Sequence, residues 1–260
     1  MRVLVCADAH ANLPALEAVL KAGAGVDRKV FLGDAISYGP HPKECLDLVV
    51  EEFDLVLAGN HDLAVAADPG PPKAGDGYAW DRWTRERLTL SDLELIRGMP
   101  RCADEEWDGR RVHLTHQPPG PYVMPDIPAD ELAERVKGMP GEIVFVAHAH
   151  RQMDRTVDGQ RSGRRPRGKT PPPGGILPRG LRAPRKRVVN PGSIGQPRDG
   201  DPRAAYAIFD RGSINFSHVE YNIARTVKDL YSLPLRREFI ACWRMFVEKG
   251  IVDVSLLPPF

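Results

Sequence analysis

Hydrophobic positions in the N-terminal part of the chain follow two alternating periods. The short apolar runs RVLVCA (2–7), KVFLG (29–33) and DLVLAG (54–59) are typical of buried strands. Between them, LPALEAVLKAG (13–23) and PKECLDLVVEE (42–52) carry apolar residues at the spacing of amphipathic helices. Short strands that alternate with helices predict βαβ units within a layered α/β domain.

The rest of the chain predicts two hairpins and a further buried strand. The hairpins turn at Asp108–Gly109 and at Arg211–Gly212, which are two-residue turns. The strand EIVFVAHAH (142–150) ends in His148 and His150. Since side chains two apart on a strand share a face, we expect these imidazoles to lie side by side at one spot. Further helices are expected at 77–88, 90–98, 128–138 and 223–233, and a last one near the C-terminus.

The composition is that of an ordinary globular protein. Of the 260 residues 42% are hydrophobic, and no apolar run approaches the roughly 20 residues of a membrane helix. Four cysteines are scattered without CxxC spacing, which favours reduced thiols in the cytoplasm. We therefore expect a cytoplasmic protein with no membrane contact, built as a single domain over residues 1–260.

One segment, 159–187, differs from the rest of the chain. It is rich in Gly, Pro and Arg and lacks the apolar residues that would offset the entropy of ordering, so we expect a flexible insert. It holds ten basic residues and no acidic ones: Arg161, Arg164, Arg165, Arg167, Lys169, Arg179, Arg182, Arg185, Lys186 and Arg187. Two interpretations remain open, a basic arm that makes weak contact with polyanions and a solvated loop without a role.

Ligand-type residues follow five of the predicted strands. They are Asp8 and His10, then Asp34, then Asn60, His61 and Asp62, then His116, and finally His148 and His150. Sites in α/β sheets form at the carboxyl ends of strands, and so many carboxylates and imidazoles would be unsatisfied there without a cation. Nitrogen and oxygen ligands without a thiolate suit Mn²⁺, Fe²⁺, Ni²⁺ or Zn²⁺. The number of ligands fits two ions that share one carboxylate.

The motifs DAH, GD, GNHD, a later His and HAH resemble the signature of calcineurin-like metallophosphoesterases, D-x-H, G-D, G-N-H-D/E, H and G-H-x-H. GDAISYGPHP and NPGSIGQPRDGDPRAAYAIFD resemble the small prokaryotic phosphodiesterase and phosphatase branch of that superfamily. The resemblance implies a four-layer α-β-β-α sandwich of two mixed sheets, with the NPGS…AAYAIFD strands in the second sheet. Ala11 and Ala147 stand where glycine is common in this family, which leaves weak activity as an alternative outcome.

The resemblance also implies a role for each motif residue. One ion would be held by Asp8, His10, Asp34 and His150, and a second by Asp34, Asn60, His116 and His148. Asn60 and His61 would contact substrate, His61 would relieve charge on the leaving oxygen, and Asp62 would orient His61. His113 competes with His116 as the ligand, and the position of His116 at the strand end favours it. Arg198 either contacts phosphate or is an ordinary surface arginine.

The implied activity is hydrolysis of phosphodiesters or small phosphomonoesters by in-line attack of a hydroxide that bridges two metal ions. Mn²⁺ is the first choice of metal, with Fe²⁺, Ni²⁺ or Zn²⁺ as alternatives, and a small phosphoester or nucleotide is the expected substrate. GDAISYG lacks the second Asp and the Arg of the phosphoprotein phosphatase motif GDxxDRG, which makes that activity a weaker alternative. Hydrolysis of dinucleoside polyphosphates is a second alternative activity. A non-catalytic binding scaffold on the same fold is a third.

Overall fold

The computed structural model describes residues 1–67, 77–121, 123–158 and 185–251. The strands there are β1 (Arg2–Cys6), β2 (Arg28–Phe31), β3 (Leu55–Val56), β4 (Cys102–Trp107), β5 (Arg110–Thr115), β6 (Ile143–Phe145), β7 (Gln152–Asp158), β8 (Arg185–Pro191), β9 (Ala204–Asp210) and β10 (Ser213–Val219). The helices are α1 (Leu13–Ala22), α2 (Pro42–Glu52), α3 (Asn60–Ala66), α4 (Gly77–Arg85), α5 (Leu90–Gly98), α6 (Ala129–Val136), α7 (Ile223–Tyr231) and α8 (Arg237–Lys249).

The strands form two mixed five-stranded sheets. The first has the order β10-β9-β1-β2-β3, with β1, β2 and β3 parallel and β9 antiparallel to both of its neighbours. The second has the order β4-β5-β6-β8-β7, with β5, β6 and β8 parallel and an antiparallel strand at each edge. The expectation for the NPGS…AAYAIFD strands is therefore half wrong: β8 lies in the second sheet, but β9 pairs with β1 in the first.

Side chains of β1 alternate between two apolar layers, as the strand period requires. Val3 and Val5 pack with Phe145 of β6 between the sheets, whereas Leu4 packs with Leu16 of α1 on the outer face of the first sheet. Helix α6 covers the outer face of the second sheet. Each fully buried side chain of this size contributes on the order of 2 kcal/mol. The predicted four-layer sandwich of two mixed sheets is confirmed.

Two of the local predictions can be compared directly with the backbone. Both hairpin turns are present, and Asp108, Gly109, Arg211 and Gly212 all have the positive φ that such tight turns need. The predicted insert ends too late, because residues 185–187 begin β8 and pair with β7. The remainder of the insert lies outside the described residues.

The two C-terminal helices pack beside the carboxyl end of the first sheet. Leu230 of α7 and Ile240 and Trp243 of α8 form a cluster with Trp80 of α4, and Tyr38 packs against it. No helix within the described ranges has the length and apolar character to cross a bilayer.

Candidate metal centre

The loops that follow β1, β2, β3, β5 and β6 meet at one edge of the sandwich, and they carry the ligand-type residues. Strand β6 ends at Phe145, so His148 and His150 belong to the loop after it and not to the strand. Both histidines have left-handed backbone, with φ of 67° and 57°. The expectation that they share one strand face is therefore wrong, and each ring joins a different set of residues.

The first group consists of Asp8, His10 and His150, and all three side chains are buried. Their candidate ligand atoms lie within 4.8 Å of one another. His150 Nε2 lies 3.2 Å from His10 Nε2 and 3.5 Å from Asp8 Oδ1. The three side chains thus converge on a single point.

The second group consists of Asp34, His116 and His148, which are also buried and equally close together. His116 Nε2 lies 3.3 Å from Asp34 Oδ2 and 3.1 Å from Asn60 Oδ1. Asn60, the first residue of α3, therefore adds an amide oxygen to this group.

The two groups meet at one carboxylate oxygen. Asp34 Oδ2 lies 3.3 Å from His116 Nε2 in the second group and 3.8 Å from His10 Nε2 in the first. The other oxygen, Asp34 Oδ1, accepts a hydrogen bond of 2.9 Å from the backbone N–H of His61. Asp34 is fully buried, and its Oδ2 atom is directed at both sets of imidazoles.

These side chains fit divalent cations. Asp8 Oδ1 and Asp34 Oδ2 are buried and have no hydrogen-bond donor among the described residues, a costly state that a cation removes. His116 Nδ1 faces the carbonyl oxygen of Leu32 at 3.0 Å, and His150 Nδ1 faces that of Gln196 at 2.7 Å. Each Nδ1–H therefore donates to a carbonyl, which leaves the lone pair on Nε2 for a metal, as is usual for histidine ligands.

Burial sets the protonation of most of the imidazoles. It lowers the pKa of His10 and His150 well below the usual range, and it lowers that of His148 to about 4 with the help of the charge on His116. A neutral imidazole is the form that binds metal. His116 differs: burial acts to lower its pKa, but Asp34 outweighs burial and raises it to about 9.

The pKa values of the two carboxylates, Asp8 and Asp34, are shifted in opposite directions. Burial raises the pKa of Asp8 to about 7, against the lowering effect of His116. Burial also acts to raise the pKa of Asp34, but His116, His61 and His10 together hold it well below its usual range. Asp34 is thus the anionic centre around which the imidazoles collect.

Asp62 occupies a position that the sequence did not predict. Its buried carboxylate accepts hydrogen bonds from the backbone N–H groups of Asp34 (2.7 Å), Ala35 (3.0 Å), Ile36 (3.2 Å) and Gly59 (2.9 Å). Asp62 therefore ties the loop after β2 to the start of α3, and these contacts do not involve the His61 ring. Burial, with the charge of Asp34, raises the pKa of Asp62 to about 6.

His61 lies at the rim of the centre. Its ring centroid is 5.4 Å from that of His10 and 4.5 Å from that of Tyr38. Its Nδ1 lies 4.0 Å from Asp81 Oδ1 on α4. Burial acts to lower the pKa of His61, but Asp34 and Asp81 reverse the effect and raise it. The sequence did not predict that Tyr38 and Asp81 lie at the site. The only indication was that Asp81 stands between Trp80 and Trp83, two apolar residues of the same helix that are buried.

Arg198 and His113 are the remaining sequence candidates. The backbone N–H of Arg198 donates to the carbonyl oxygen of His150 at 3.1 Å, and its guanidinium donates to Gln196 Oε1 at 2.8 Å. Its charge adds to burial in lowering the pKa of His150, so Arg198 lies next to the first group. His113 lies elsewhere, with Nδ1 2.7 Å from Asp104 Oδ1.

Known proteins match this chain in sequence and in structure. A family model described as the calcineurin-like phosphoesterase superfamily domain matches residues 1–213, which include every residue of both groups. The chain belongs to the calcineurin-like phosphoesterase superfamily. Metal binding and phosphoester hydrolysis are thus family properties, and the two groups supply candidate ligands for them.

Relatives match almost the whole length of this chain. A metallophosphoesterase from Sphaerobacter thermophilus is 29% identical, with a TM-score of 0.73, and the match covers 96% of this chain and 99% of that one. A hypothetical protein from Pyrococcus horikoshii has the same fold at 22% identity, with a TM-score of 0.72 and coverage of 96% and 98%. An uncharacterised protein from Methanocaldococcus jannaschii is 29% identical over 241 residues, 88% of this chain and 91% of that protein.

The candidate metal centre is built on strained backbone. Five of its ligand-type residues have left-handed φ: Asp8 (56°), His10 (43°), Asp34 (58°), His148 (67°) and His150 (57°). Such conformations cost of order 1 kcal/mol each for a residue with a Cβ, and they persist where the surrounding structure enforces them. Ala11, with φ of 53°, shares this strain. Ala147 does not, and its methyl group packs in the apolar layer between the sheets.

Proposed function

We propose that this chain is a phosphoesterase that uses two divalent metal ions to hydrolyse phosphodiesters or small phosphomonoesters. The observation that carries the proposal is the position of Asp34 Oδ2, which is buried between His10 Nε2 of one group and His116 Nε2 of the other. A carboxylate shared in this way is what a pair of ions would require.

The residues that would hold the ions follow from the two groups. Asp8, His10 and His150 would hold one ion, His116, His148 and Asn60 the other, and Asp34 would contact both. When bound, the ions supply positive charge for the phosphate oxygens and a water of lowered pKa. Mn²⁺ is the first choice, with Fe²⁺, Ni²⁺ or Zn²⁺ as alternatives, because the donor set combines imidazole nitrogen with carboxylate oxygen.

The chain's own residues would then bind and protonate the substrate. Asn60 and Arg198 border the two groups and would contact the phosphate. His61 lies beside His10 at the rim, where its Nε2–H would give a proton to the leaving oxygen as the P–O bond breaks. The electron pair of that bond stays on the leaving group, and the ring becomes neutral. The attacking water releases one proton, which offsets the proton that His61 gives to the leaving oxygen.

A substrate and metal screen tests this proposal. We expect turnover of bis-p-nitrophenyl phosphate or p-nitrophenyl phosphate that depends on Mn²⁺ and stops with EDTA. Asp34→Asn should lower kcat at least about 100-fold, since removing the shared charge displaces both ions. Turnover that survives EDTA and Asp34→Asn would contradict the proposal. No metal-dependent turnover of any diester, nucleotide, phosphopeptide or dinucleoside polyphosphate would favour the scaffold alternative.

The expected partners and location are proposals of the same kind. A small phosphoester or nucleotide would be the substrate, in the cytoplasm. Three of the ten basic residues of the insert are already engaged in the second sheet, since Arg185 pairs with Asp158, Arg187 pairs with Asp154 and Lys186 donates to the carbonyl oxygen of Met139. If the rest attract polyanions, deletion of residues 160–184 should weaken polynucleotide binding and flatten its salt dependence. An unchanged salt slope would exclude that role.

A further inference from the structure

One nitrogen of His61 faces a carboxylate that neither the sequence motifs nor the family match assigns. His61 Nδ1 is buried and has no hydrogen-bond partner among the described residues, yet Asp81 Oδ1 lies 4.0 Å away. Asp81 is itself only 6% exposed, although it belongs to a helix outside the motif loops. A buried imidazole nitrogen without a hydrogen-bond partner is uncommon in folded proteins.

The Asp81 carboxylate is held in place from the loop after β2. Ser37 Oγ donates a hydrogen bond of 2.7 Å to Asp81 Oδ1, and Ser37 is fully buried. Ser37 and the next residue, Tyr38, both have left-handed backbone, with φ of 70° and 66°. Ser37 thus contacts Asp81 and Tyr38 contacts His61, so one turn of the chain supports both residues.

The ring of His61 is confined on a second side. The Tyr38 ring packs edge-on against it at 4.5 Å, and Tyr38 also contacts the rings of His10 at 5.2 Å and Trp80 at 6.2 Å. Trp80 is the neighbour of Asp81 in α4 and packs in the cluster with α8. Tyr38 and Asp81 therefore fix the ring of His61 by an aromatic contact and by a polar contact at Nδ1.

We propose that Asp81, supported by Ser37, is the positioning residue for His61. Asp81 accepts a hydrogen bond from Nδ1–H and so turns Nε2 toward the metal centre. Asp62, the residue that the motif suggested for this role, is bound to four backbone N–H groups instead. The two atoms lie 4.0 Å apart, so the proposal requires this distance to shorten to that of a hydrogen bond.

The first test reads the tautomer of His61 and does not depend on activity. Protein labelled with ¹⁵N-histidine and loaded with Zn²⁺ is examined by NMR, with the His61 signals assigned from His61→Ala. We expect a proton on Nδ1 in the parent protein and a shift of population toward Nε2–H in Asp81→Asn. A parent ring protonated only on Nε2, or a tautomer unchanged by Asp81→Asn, would overturn the proposal.

The second test is kinetic and rests on the proposed function. Asp81→Asn should lower kcat about 10- to 100-fold on a diester with an alkyl leaving group, a part of the effect that general acids usually supply. The loss should be smaller on a p-nitrophenyl ester, whose leaving oxygen needs less protonation, and KM should change little. In a His61→Ala background Asp81→Asn should cause no further loss, because the two side chains act as a unit.

Control variants are needed for this comparison of Asp81→Asn in the parent and in the His61→Ala background. Asp92→Asn removes a carboxylate that caps the neighbouring helix α5 and should leave kcat unchanged. If Asp81→Asn does not fold, Ser37→Ala, which frees the carboxylate without removing it, should give a smaller loss that also vanishes in the His61→Ala background. Equal losses in both backgrounds, or for both leaving groups, would overturn the role of Asp81. A parent without metal-dependent turnover would sink the proposed function, and the tautomer experiment would still decide this inference.

Discussion

Replacing Asp62 by asparagine should lower the free energy of unfolding of the protein. We expect this loss of stability to be the main effect, and an effect on proton transfer by His61 to be secondary. Asp62 Oδ1 accepts the N–H groups of Ala35 and Ile36, and Oδ2 accepts those of Asp34 and Gly59. Asparagine keeps one acceptor oxygen and puts an NH₂ group where the other was, so two of these four bonds are lost. Hydrogen bonds to a charged group contribute about 1.5–3 kcal/mol each, which predicts a loss of about 3–6 kcal/mol.

Urea denaturation followed by tryptophan fluorescence measures this loss. EDTA-treated protein at pH 8 is appropriate, because bound metal is then absent and the Asp62 carboxylate, whose pKa burial raises to about 6, is ionised. Asp92→Asn is the matched control, since it replaces a half-buried carboxylate that accepts hydrogen bonds from Thr89, the N-cap of α5, and should cost only about 1 kcal/mol. An Asp62→Asn protein as stable as its parent, with a selective loss of kcat on poor leaving groups, would refute this reasoning and return Asp62 to the role of orienting His61.

Three further outcomes are expected. A Cβ at Gly59 would lie 2.0 Å from Asp34 Oδ1, so Gly59→Ala should lower turnover at least about 100-fold. The added methyl group of the control Gly98→Ala meets nothing within 4 Å and should leave turnover unchanged. Equal effects of the two substitutions on turnover would contradict the geometry. His116→Gln should lose bound metal, measured by inductively coupled plasma mass spectrometry, and His113→Gln should keep it; loss in both would show that His113 also holds a ligand position. EDTA should lower Tm in scanning calorimetry and Mn²⁺ should restore it, because an ion that binds only the folded chain at 100 times its Kd stabilises by about 2.7 kcal/mol; a Tm that does not respond would argue against tight sites.

The parts of the fold that follow from local pattern were predictable. The apolar runs of β1 and β2 and the helical periods of α1 and α2 specify the βαβ units. The ligand-type residues then meet because parallel strands end at the same edge. The position of His116 at the end of its strand, in contrast to His113 inside it, was also readable from the sequence.

Other features depend on distant parts of the chain. The pairing of β9 with β1 joins residues about 200 positions apart, and no local pattern specifies which sheet a strand enters. The left-handed backbone of His148 and His150 is imposed by the packed loops, so a strand period gave the wrong geometry. Asp81 reaches the site from α4, and the motif spacing carries no trace of it.

The sharing of Asp34 by two metal ions is tested most directly with a crystal soaked in Mn²⁺. Diffraction data collected at the manganese absorption edge locate each ion independently of the refined protein atoms. We predict two anomalous peaks on either side of Asp34 Oδ2, one next to His10 and His150 and the other next to His116 and His148. A single peak, or none near Asp34, would contradict a shared carboxylate.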